Sequence, residues 1–224
     1  LNIAGRFQPN SGTSYGPYTQ TGGVVTVNTA GSASTSRAPF EINSGVIYTV
    51  SGGTIVIQRA SSNTNGDFLN ASSTATVTGG NLQIGNTSTP AGQTIRINST
   101  VPVFNLTVSA TNAPTAQLHT NGLTVLNSVT ISGGTLNTNN LNLNVGGDWS
   151  NNGNFTPGSG TVTFNGSVNQ SLLGTNATTF YNLTLNNDAG IMLNGSVNAT
   201  VDGTLNFTSG VISTGYNKLI MGNT

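Results

Sequence analysis

Residues 123–162 read LTVLNSVTISGGTLNTNNLNLNVGGDWSNNGNFTPGSGTV, and their pattern is the clearest indication of the fold class. Apolar centres recur in it every five to seven residues, at Val125, Ile131, Leu136, Leu143, Trp149, Phe155 and Val162. Threonine and asparagine alternate with these apolar residues, which is typical of strands with one buried face. The Gly-Gly pairs between the runs permit tight corners that β-branched residues resist. The stretch therefore predicts a succession of short strands joined by tight corners.

The short spacing separates two all-β architectures. A strand and its loop in a sandwich usually occupy about 8–12 residues, which is longer than the spacing seen here. A β-solenoid, in which each coil is a ring of short strands, fits the shorter spacing. We therefore expect an elongated β-solenoid with coils of roughly 18–27 residues and a rise of about 4.8 Å per coil. Tandem β-sandwiches are the alternative, and no segment has the apolar spacing of a long helix.

The composition excludes several functional classes. Asn, Thr, Ser and Gly supply 122 of 224 residues, whereas only ten residues are charged and the net charge is zero. This chain has no electrostatic footprint for nucleic acid, so we expect no such partner. Its apolar runs are far shorter than the roughly 20 residues that span a bilayer, so we expect no membrane insertion. Abundant Asn and Thr with little Lys or Glu favour an extracellular bacterial protein.

Two regions differ in their pattern. Residues 1–40 contain Pro9, Pro17 and a Ser/Gly/Thr-rich stretch at 29–38, which predicts an irregular lead-in or cap, and residues 41–224 form the predicted solenoid body. Within the body, residues 104–147 resemble residues 181–223 at an offset of 76–77 residues. Because the chain starts at Leu1 and carries no secretory signal, we expect a mature or excised segment.

Several motifs resemble the β-strand repeats of very large secreted surface proteins of Bacteroidota. They are GDWSNNGNF at 147–155, GTVTFNG at 160–166, TFYNLTL at 179–185, GTLNFTSG at 203–210 and LIMG at 219–222. The resemblance covers about residues 120–224, extends loosely over 45–119 and leaves out 1–40. It implies export by the type IX secretion system, a place at the cell surface and a stalk or adhesive role. It carries no catalytic residue.

The titratable side chains are too scattered to predict a catalytic or metal site. His119 stands alone, without another His or any Cys, so we expect it at the surface or at a corner. Asp188 and Asp202 are fourteen residues apart, less than one coil, which predicts different faces. Asp67 and Asp148 follow turn residues, where Asp commonly bonds its own backbone. We predict no catalytic residue, no cofactor and no metal ligand, with a single structural calcium near Asp67 or Asp148 left open.

Aromatic and threonine side chains offer two further hypotheses. Trp149 and the tyrosines could stack on sugars, but Trp149 falls at the apolar spacing and is expected in the core. Flat solenoid faces with regular Thr-x-Thr rows bind ice, and threonine is plentiful here without that regularity. The candidate positions for such rows are Thr124, Thr130, Thr161, Thr163, Thr184 and Thr200.

These patterns favour a structural stalk or adhesive repeat segment of a secreted, cell-surface or extracellular filament protein. The first alternative is an ice- or glycan-binding solenoid that uses a flat Thr/Asn-rich face. The second is a polysaccharide-active β-helix enzyme. We also expect self-association, end to end or with neighbouring repeats, because residues 216–221 form an apolar segment whose one charge is Lys218. Surface glycans are a further expected partner.

Overall fold

The computed structural model describes residues 1–9, 16–194 and 197–222, and every regular element in these ranges is a β-strand. All of the strand pairs are parallel, and strands inside each ladder pair with the strands one coil earlier and one coil later. The predicted all-β solenoid is therefore confirmed, and the alternative of tandem sandwiches is wrong. In chain order the strands are β1 (Asn2–Ile3), β2 (Tyr18–Val27), β3 (Phe40–Ile42), β4 (Ile47–Ile57), β5 (Phe68–Asn70), β6 (Thr74–Val77), β7 (Asn81–Ile84), β8 (Thr94–Ser99), β9 (Asn105–Val108), β10 (Thr115–Leu118), β11 (Leu123–Val125), β12 (Val129–Ile131), β13 (Thr135–Asn137), β14 (Leu143–Val145), β15 (Trp149–Asn151), β16 (Asn154–Thr156), β17 (Thr161–Phe164), β18 (Gln170–Gly174), β19 (Thr178–Phe180), β20 (Asn182–Asn186), β21 (Ile191–Leu193), β22 (Ala199–Val201), β23 (Leu205–Ser209), β24 (Ile212–Ser213) and β25 (Leu219–Met221).

The strands form three faces of a rod. The first face is the ladder β1-β2-β4-β7-β9-β12-β15-β18-β21-β24. The second face consists of β3-β5-β8-β10-β13-β16 and continues as β19-β22-β25, and the third face contains β11-β14-β17-β20-β23. Ten strands on the first face, each about 4.8 Å from the next, give a rod about 43 Å long.

Glycine pairs make the corners of the first coils. The first half of β4 pairs with β6, and its second half pairs with β7, so β4 bends between two faces. The bend lies at Gly52 and Gly53, where Gly53 has a φ of +80° and a Cβ would lie 2.5 Å from the carbonyl oxygen of Gly22. Only glycine allows both this backbone conformation and this approach of the coils. The first halves of β2 and β4 thus extend the third face towards the N-terminus.

Coil length varies along the rod. The register step from Thr135 to Asn154 is typical of the short coils, and the step from Tyr18 to Tyr48 is typical of the long ones. The long coils lie in the N-terminal third, where extended loops follow β2 and β4. The predicted coil length therefore agrees with the C-terminal coils and is too short for the first ones.

The structure differs from the irregular lead-in predicted for residues 1–40. Residues 18–27 form β2, which pairs with β4 from Tyr18↔Tyr48 to Val27↔Ile57 and belongs to the solenoid body. The sequence carried the signal, because YTQTGGVVTV at 18–27 matches YTVSGGTIVI at 48–57. Residues 28–39 hold no strand, whereas residues 10–15 lie outside the described part of the chain.

Alternation places one continuous apolar core inside the three faces. Inward side chains stack coil on coil, as in Leu82, Leu106 and Val129 on the first face. Near the N-terminus the rings of Phe7, Phe40 and Phe68 stack with centroids 5.4 and 5.0 Å apart. A second cluster surrounds Trp149, which is fully buried as predicted and packs edge-on against Phe155 at 4.8 Å. Burial of Trp149 removes it as a sugar platform.

The predicted 76–77-residue repeat corresponds to a whole number of strands but not to a whole number of coils. Its matched segments are β9 with β20, β11 with β22, and β13 with β24, so each pair is eleven strands apart. Eleven strands are three coils and two faces, and every matched segment consequently moves to a different face. The last residue of the predicted repeat, 223, lies outside the described residues. The unit that recurs in the sequence is one strand with its corner, of about seven residues.

Candidate functional site

The buried charges are occupied in structural pairs. Asp67 is fully buried: one carboxylate oxygen accepts hydrogen bonds from the backbone N–H and the hydroxyl of Ser61, at 2.8 and 2.7 Å. The other accepts from the backbone N–H of Arg96 at 2.7 Å and from its Nε at 3.3 Å. The expectation that Asp67 bonds its own turn is therefore wrong. One partner, Ser61, lies at the other end of the same loop, and the other, Arg96, lies on the next coil. Four donors leave this carboxylate no free capacity for catalysis or for calcium.

Glu41 is held in the same manner. It is almost completely buried, and its two oxygens accept from Arg37 at 2.6 Å and from the backbone N–H of Ala38 at 3.0 Å. Together with the Asp67 pair, this contact fixes the loops that project from the first long coils. These acids stabilise loops and do not face a groove.

The remaining acids lie at separate places. Asp148 accepts from the backbone N–H of Ser171 in the next coil at 2.8 Å. Asp188 lies in the corner between β20 and β21, and Asp202 follows β22 at another corner, so these two are on different edges as predicted. His119 lies just after β10, and its Nε2 is 2.9 Å from the carbonyl oxygen of Thr64, a corner position as expected. Among the described residues, no group of three or more His, Cys, Asp or Glu is close enough to hold a metal ion.

The surface that stands out is a polar array on the third face. Its outward residues form five rows, one per coil, in the ranges that the structure describes. The rows are Gly122 and Thr124; Asn142 and Asn144; Thr161 and Thr163; Asn182 and Thr184; and Thr204 and Asn206. The residues between them, such as Val162 and Leu183, are buried, so the polar side chains must point outward. We call these five rows the Thr/Asn array.

No residue in the Thr/Asn array carries a charge. Nearer the N-terminus, Thr19, Thr49 and Thr76 form a separate threonine column and are in register with one another. Only one row of the array, Thr161 with Thr163, has threonine at both positions, and the other rows mix in Asn or Gly. The regular Thr-x-Thr lattice of an ice-binding face is thus not formed here.

Asparagine side chains tie the rows together and leave threonine hydroxyls unused. Asn142 and Asn182 accept from the backbone N–H groups of Thr161 and Thr204 in the following coils, at 3.0 and 2.9 Å. Thr163 and Thr184 make no side-chain hydrogen bond with any residue in the described ranges. Their hydroxyls, half-exposed on a fixed backbone, can each donate and accept towards a ligand.

An aromatic ring borders the array. Tyr181 comes directly before the row of Asn182 and is 39% exposed. Its ring leans along the rod over the next coil, where a Cβ on Gly203 would lie 3.3 Å from Tyr181 Cε1. Asp202 precedes Gly203 and leans the same way, because a Cβ on Gly222 would lie 2.1 Å from its carboxylate oxygen. The missing side chains at Gly203 and Gly222 make room for this ring and this carboxylate.

Two other tyrosines are inside the rod. Tyr18 and Tyr48 are buried and stack at 5.5 Å, and Tyr18 donates to the side-chain oxygen of Gln20 at 2.7 Å. Burial raises the pKa of both hydroxyls well above the ordinary tyrosine value, and Tyr18 raises that of Tyr48 further. They serve the core and are not ligand contacts.

Sequence reasoning missed both Tyr181 as a border of the array and Gln170 as a buried polar residue. Gln170 is fully buried, and its amide joins three segments, including Gly166 and Asn187. The strand period predicted that residues like Thr163 face outward, but the coil register was needed to place them beside Tyr181.

No protein-family model matches this chain, and no curated protein and no solved structure is similar enough to count as a relative. Within the residues that the structure describes, no helix is long and apolar enough to cross a membrane.

Proposed function

We propose that this chain is a structural and adhesive β-solenoid segment of a secreted, cell-surface or extracellular filament protein. The observation that carries the proposal is the parallel ladder of ten strands on the first face, accompanied by parallel ladders on the other two faces around one apolar core. Each coil is bound to the next by the backbone hydrogen bonds of the first-face ladder and, along most of the rod, by the ladders of the other faces and by side chains as well. A rod built in this way resists bending, since bending requires whole rows of hydrogen bonds to break together.

Side-chain ladders support the same function. Asn127 donates to the side-chain oxygen of Asn105 at 2.8 Å, and Asn105 donates in turn to the carbonyl oxygen of Gly80 at 3.0 Å. Asn121 donates to Asn98 in the same way at 2.8 Å. These uncharged ladders depend little on salt, in contrast to surface ion pairs. They suit a rod exposed to a variable external medium.

Cells that produce the protein allow a direct test of its location and of its adhesive role. Antibodies against the segment should label intact cells, and surface-added protease should remove the labelling. Deleting the coils should reduce attachment of cells while the rest of the protein is still exported. Replacing the coils by an unrelated rod of equal length should restore the distance that the protein extends from the cell surface, but it should not restore adhesion. Labelling that appears only after lysis would overturn the proposed location.

A second copy of the chain is the partner that the ends of the rod support best. The last described strands, β23, β24 and β25, have no strand on their outer edge within the described residues. Phe207, Ile220 and Met221 are 51%, 42% and 52% exposed there. The ends also differ in charge, because four of the five cationic side chains precede residue 97 and three of the five acids lie at 148–202.

We therefore propose head-to-tail contact between copies, with the apolar C-terminal coil of one rod against the more basic N-terminal coils of another. Met221→Lys should lower the sedimentation coefficient of concentrated protein to that of a monomer, because Met221 continues the inward column of the buried Val201 at the uncovered end of the rod. Val168→Lys, an exposed apolar site on a loop, is the matched control and should have no effect. A wild-type rod that stays monomeric at high concentration contradicts this contact.

A ligand-binding face is the second candidate function, and the Thr/Asn array favours it. The mixed rows disfavour ice, whereas Asn and Thr together suit hydroxyl groups of a glycan. A polysaccharide-active enzyme is less favoured. Such an enzyme needs two carboxyls about 5–10 Å apart across one bond. Here Glu41 is bonded to Arg37 and Ala38, Asp67 is bonded to Ser61 and Arg96, and Asp188 and Asp202 lie at different corners.

A further inference from the structure

We infer that the C-terminal half of the Thr/Asn array, with Tyr181 at its border, binds a neutral polysaccharide whose chain runs along the rod. The inference rests on the adhesive part of the proposed function and names the class of ligand. Three observations carry it: the uncharged rows, the unused hydroxyls of Thr163 and Thr184, and the exposed ring of Tyr181.

The direction of the ligand follows from the repeat of the rows. Equivalent polar positions recur every coil, about 4.8 Å apart along the axis. A single sugar contacts only one or two rows, whereas a polymer parallel to the axis meets the same donors and acceptors repeatedly. Affinity therefore increases with chain length until the rows of the C-terminal half are filled.

The chemistry of the ligand follows from the side chains. Threonine hydroxyls and asparagine amides both donate and accept, so they match sugar hydroxyl groups. The exposed ring of Tyr181, supported from beneath by Gly203, offers an apolar surface to the C–H face of a sugar. Asp202 at the same border can accept from a hydroxyl group and repels an anionic polysaccharide. A neutral chain satisfies all of these groups.

The geometry also separates this surface from the other faces. The second face presents Arg96 and Gln117 in register, so it carries a charge in its rows. On the first face, the hydroxyl of Thr107 already donates to Asn81 at 3.0 Å. The third face combines uncharged rows, the free hydroxyls of Thr163 and Thr184 and the ring of Tyr181 lying along the rod in the adjoining corner.

The test measures binding of the purified chain to insoluble cellulose and chitin by sedimentation and to laminarin and mannan by affinity electrophoresis. Wild type should bind at least one of these four neutral polysaccharides and should not bind alginate, an anionic one. Tyr181→Ala should weaken binding about tenfold, the equivalent of about 1.4 kcal/mol. Tyr216→Ala removes a fully exposed tyrosine outside the array and should leave binding unchanged.

A second variant pair keeps the β-branched shape and removes only hydroxyl groups. Thr163→Val with Thr184→Val should weaken binding by about tenfold, whereas Thr115→Val with Thr135→Val on the second face should not. Far-UV circular dichroism and melting temperature verify that each variant is folded. The inference is overturned if wild type binds none of the four neutral polysaccharides, or binds alginate equally well. It is also overturned if Tyr181→Ala and the double variant Thr163→Val with Thr184→Val both bind like wild type. A chain that shapes ice crystals without binding sugar overturns it as well. Any of these results leaves the surface-labelling and spacer experiments unaffected.

Discussion

Gln170→Glu tests whether side-chain ladders between coils contribute to stability, because it replaces one amide nitrogen by oxygen at constant shape. Gln170 is fully buried at the start of β18. Its Nε2 donates to the carbonyl oxygens of Val145 and Gly147, at 2.9 and 2.5 Å. Its Oε1 accepts from the backbone N–H of Gly166 and from Asn187, both at 3.0 Å. The substitution keeps the two accepted bonds and loses the two donated ones.

The expected magnitude follows from these contacts. Each lost hydrogen bond costs about 1 kcal/mol, and a buried charge without a partner costs about 3–5 kcal/mol. Because the ionised carboxylate would face two carbonyl oxygens, we expect a loss of roughly 4 kcal/mol in the free energy of unfolding at pH 7. Gln83→Glu is the matched control: it lies outward on the first face, half-exposed, and should cost less than about 1 kcal/mol.

The loss of stability caused by Gln170→Glu should increase as the pH rises. Burial and the two carbonyl oxygens raise the folded-state pKa of the introduced carboxyl above its unfolded value of about 4.3. The variant should therefore be nearly as stable as wild type below about pH 4.3 and lose stability as the pH rises through the folded-state pKa.

Urea denaturation followed by circular dichroism, at pH 4 and pH 7, measures the effect. The expected result is a large loss at pH 7 that mostly disappears at pH 4. An equal loss at both pH values would refute the electrostatic reasoning. A loss at pH 7 no larger than that of Gln83→Glu would show that the Gln170 ladder does not stabilise the rod.

Three further predictions concern the core and the corners. Wild-type stability should fall as the pH rises above about 10, since burial raises the pKa of Tyr18 and Tyr48 above the unfolded value, and Tyr48→Phe should flatten this fall in alkaline denaturation curves. Gly79→Ala should cost more than about 2 kcal/mol because its Cβ would lie 2.2 Å from a backbone oxygen of the preceding coil, whereas Gly5→Ala, with open space around it, should cost less than about 0.5 kcal/mol in the same urea assay. Trp149→Ala should cost about 3–5 kcal/mol in thermal and urea unfolding, and a smaller loss would mean that the aromatic cluster closes over the cavity.

Local pattern predicted most of the fold. The alternation around Val125, Ile131 and Leu136 correctly identified strands, because one inward and one outward residue per step is a property of each strand by itself. The short spacing of the apolar centres correctly identified a solenoid. Residues 18–27 were missed because nearby prolines and glycines suggested irregularity, although the match to residues 48–57 was present.

The candidate site was harder to predict from the sequence, because it depends on the register between residues that are distant in the chain. Asp67 and Arg96 are 29 residues apart, and no local motif shows that they pair. Similarly, Tyr181 and Gly203 meet only because Phe180 pairs with Val201 in the adjacent coil. The length of each corner sets this register, and the lengths vary from coil to coil.

The eleven-strand repeat has a consequence for how such proteins grow. A tandem duplication of this unit preserves the core, since any strand can follow any other around the rod, but it rotates the duplicated segment by one face. A binding surface copied in this way would not extend the original one along a straight line. Successive copies would instead point in three directions, so that a long protein of this kind would present the same surface to partners all around its circumference.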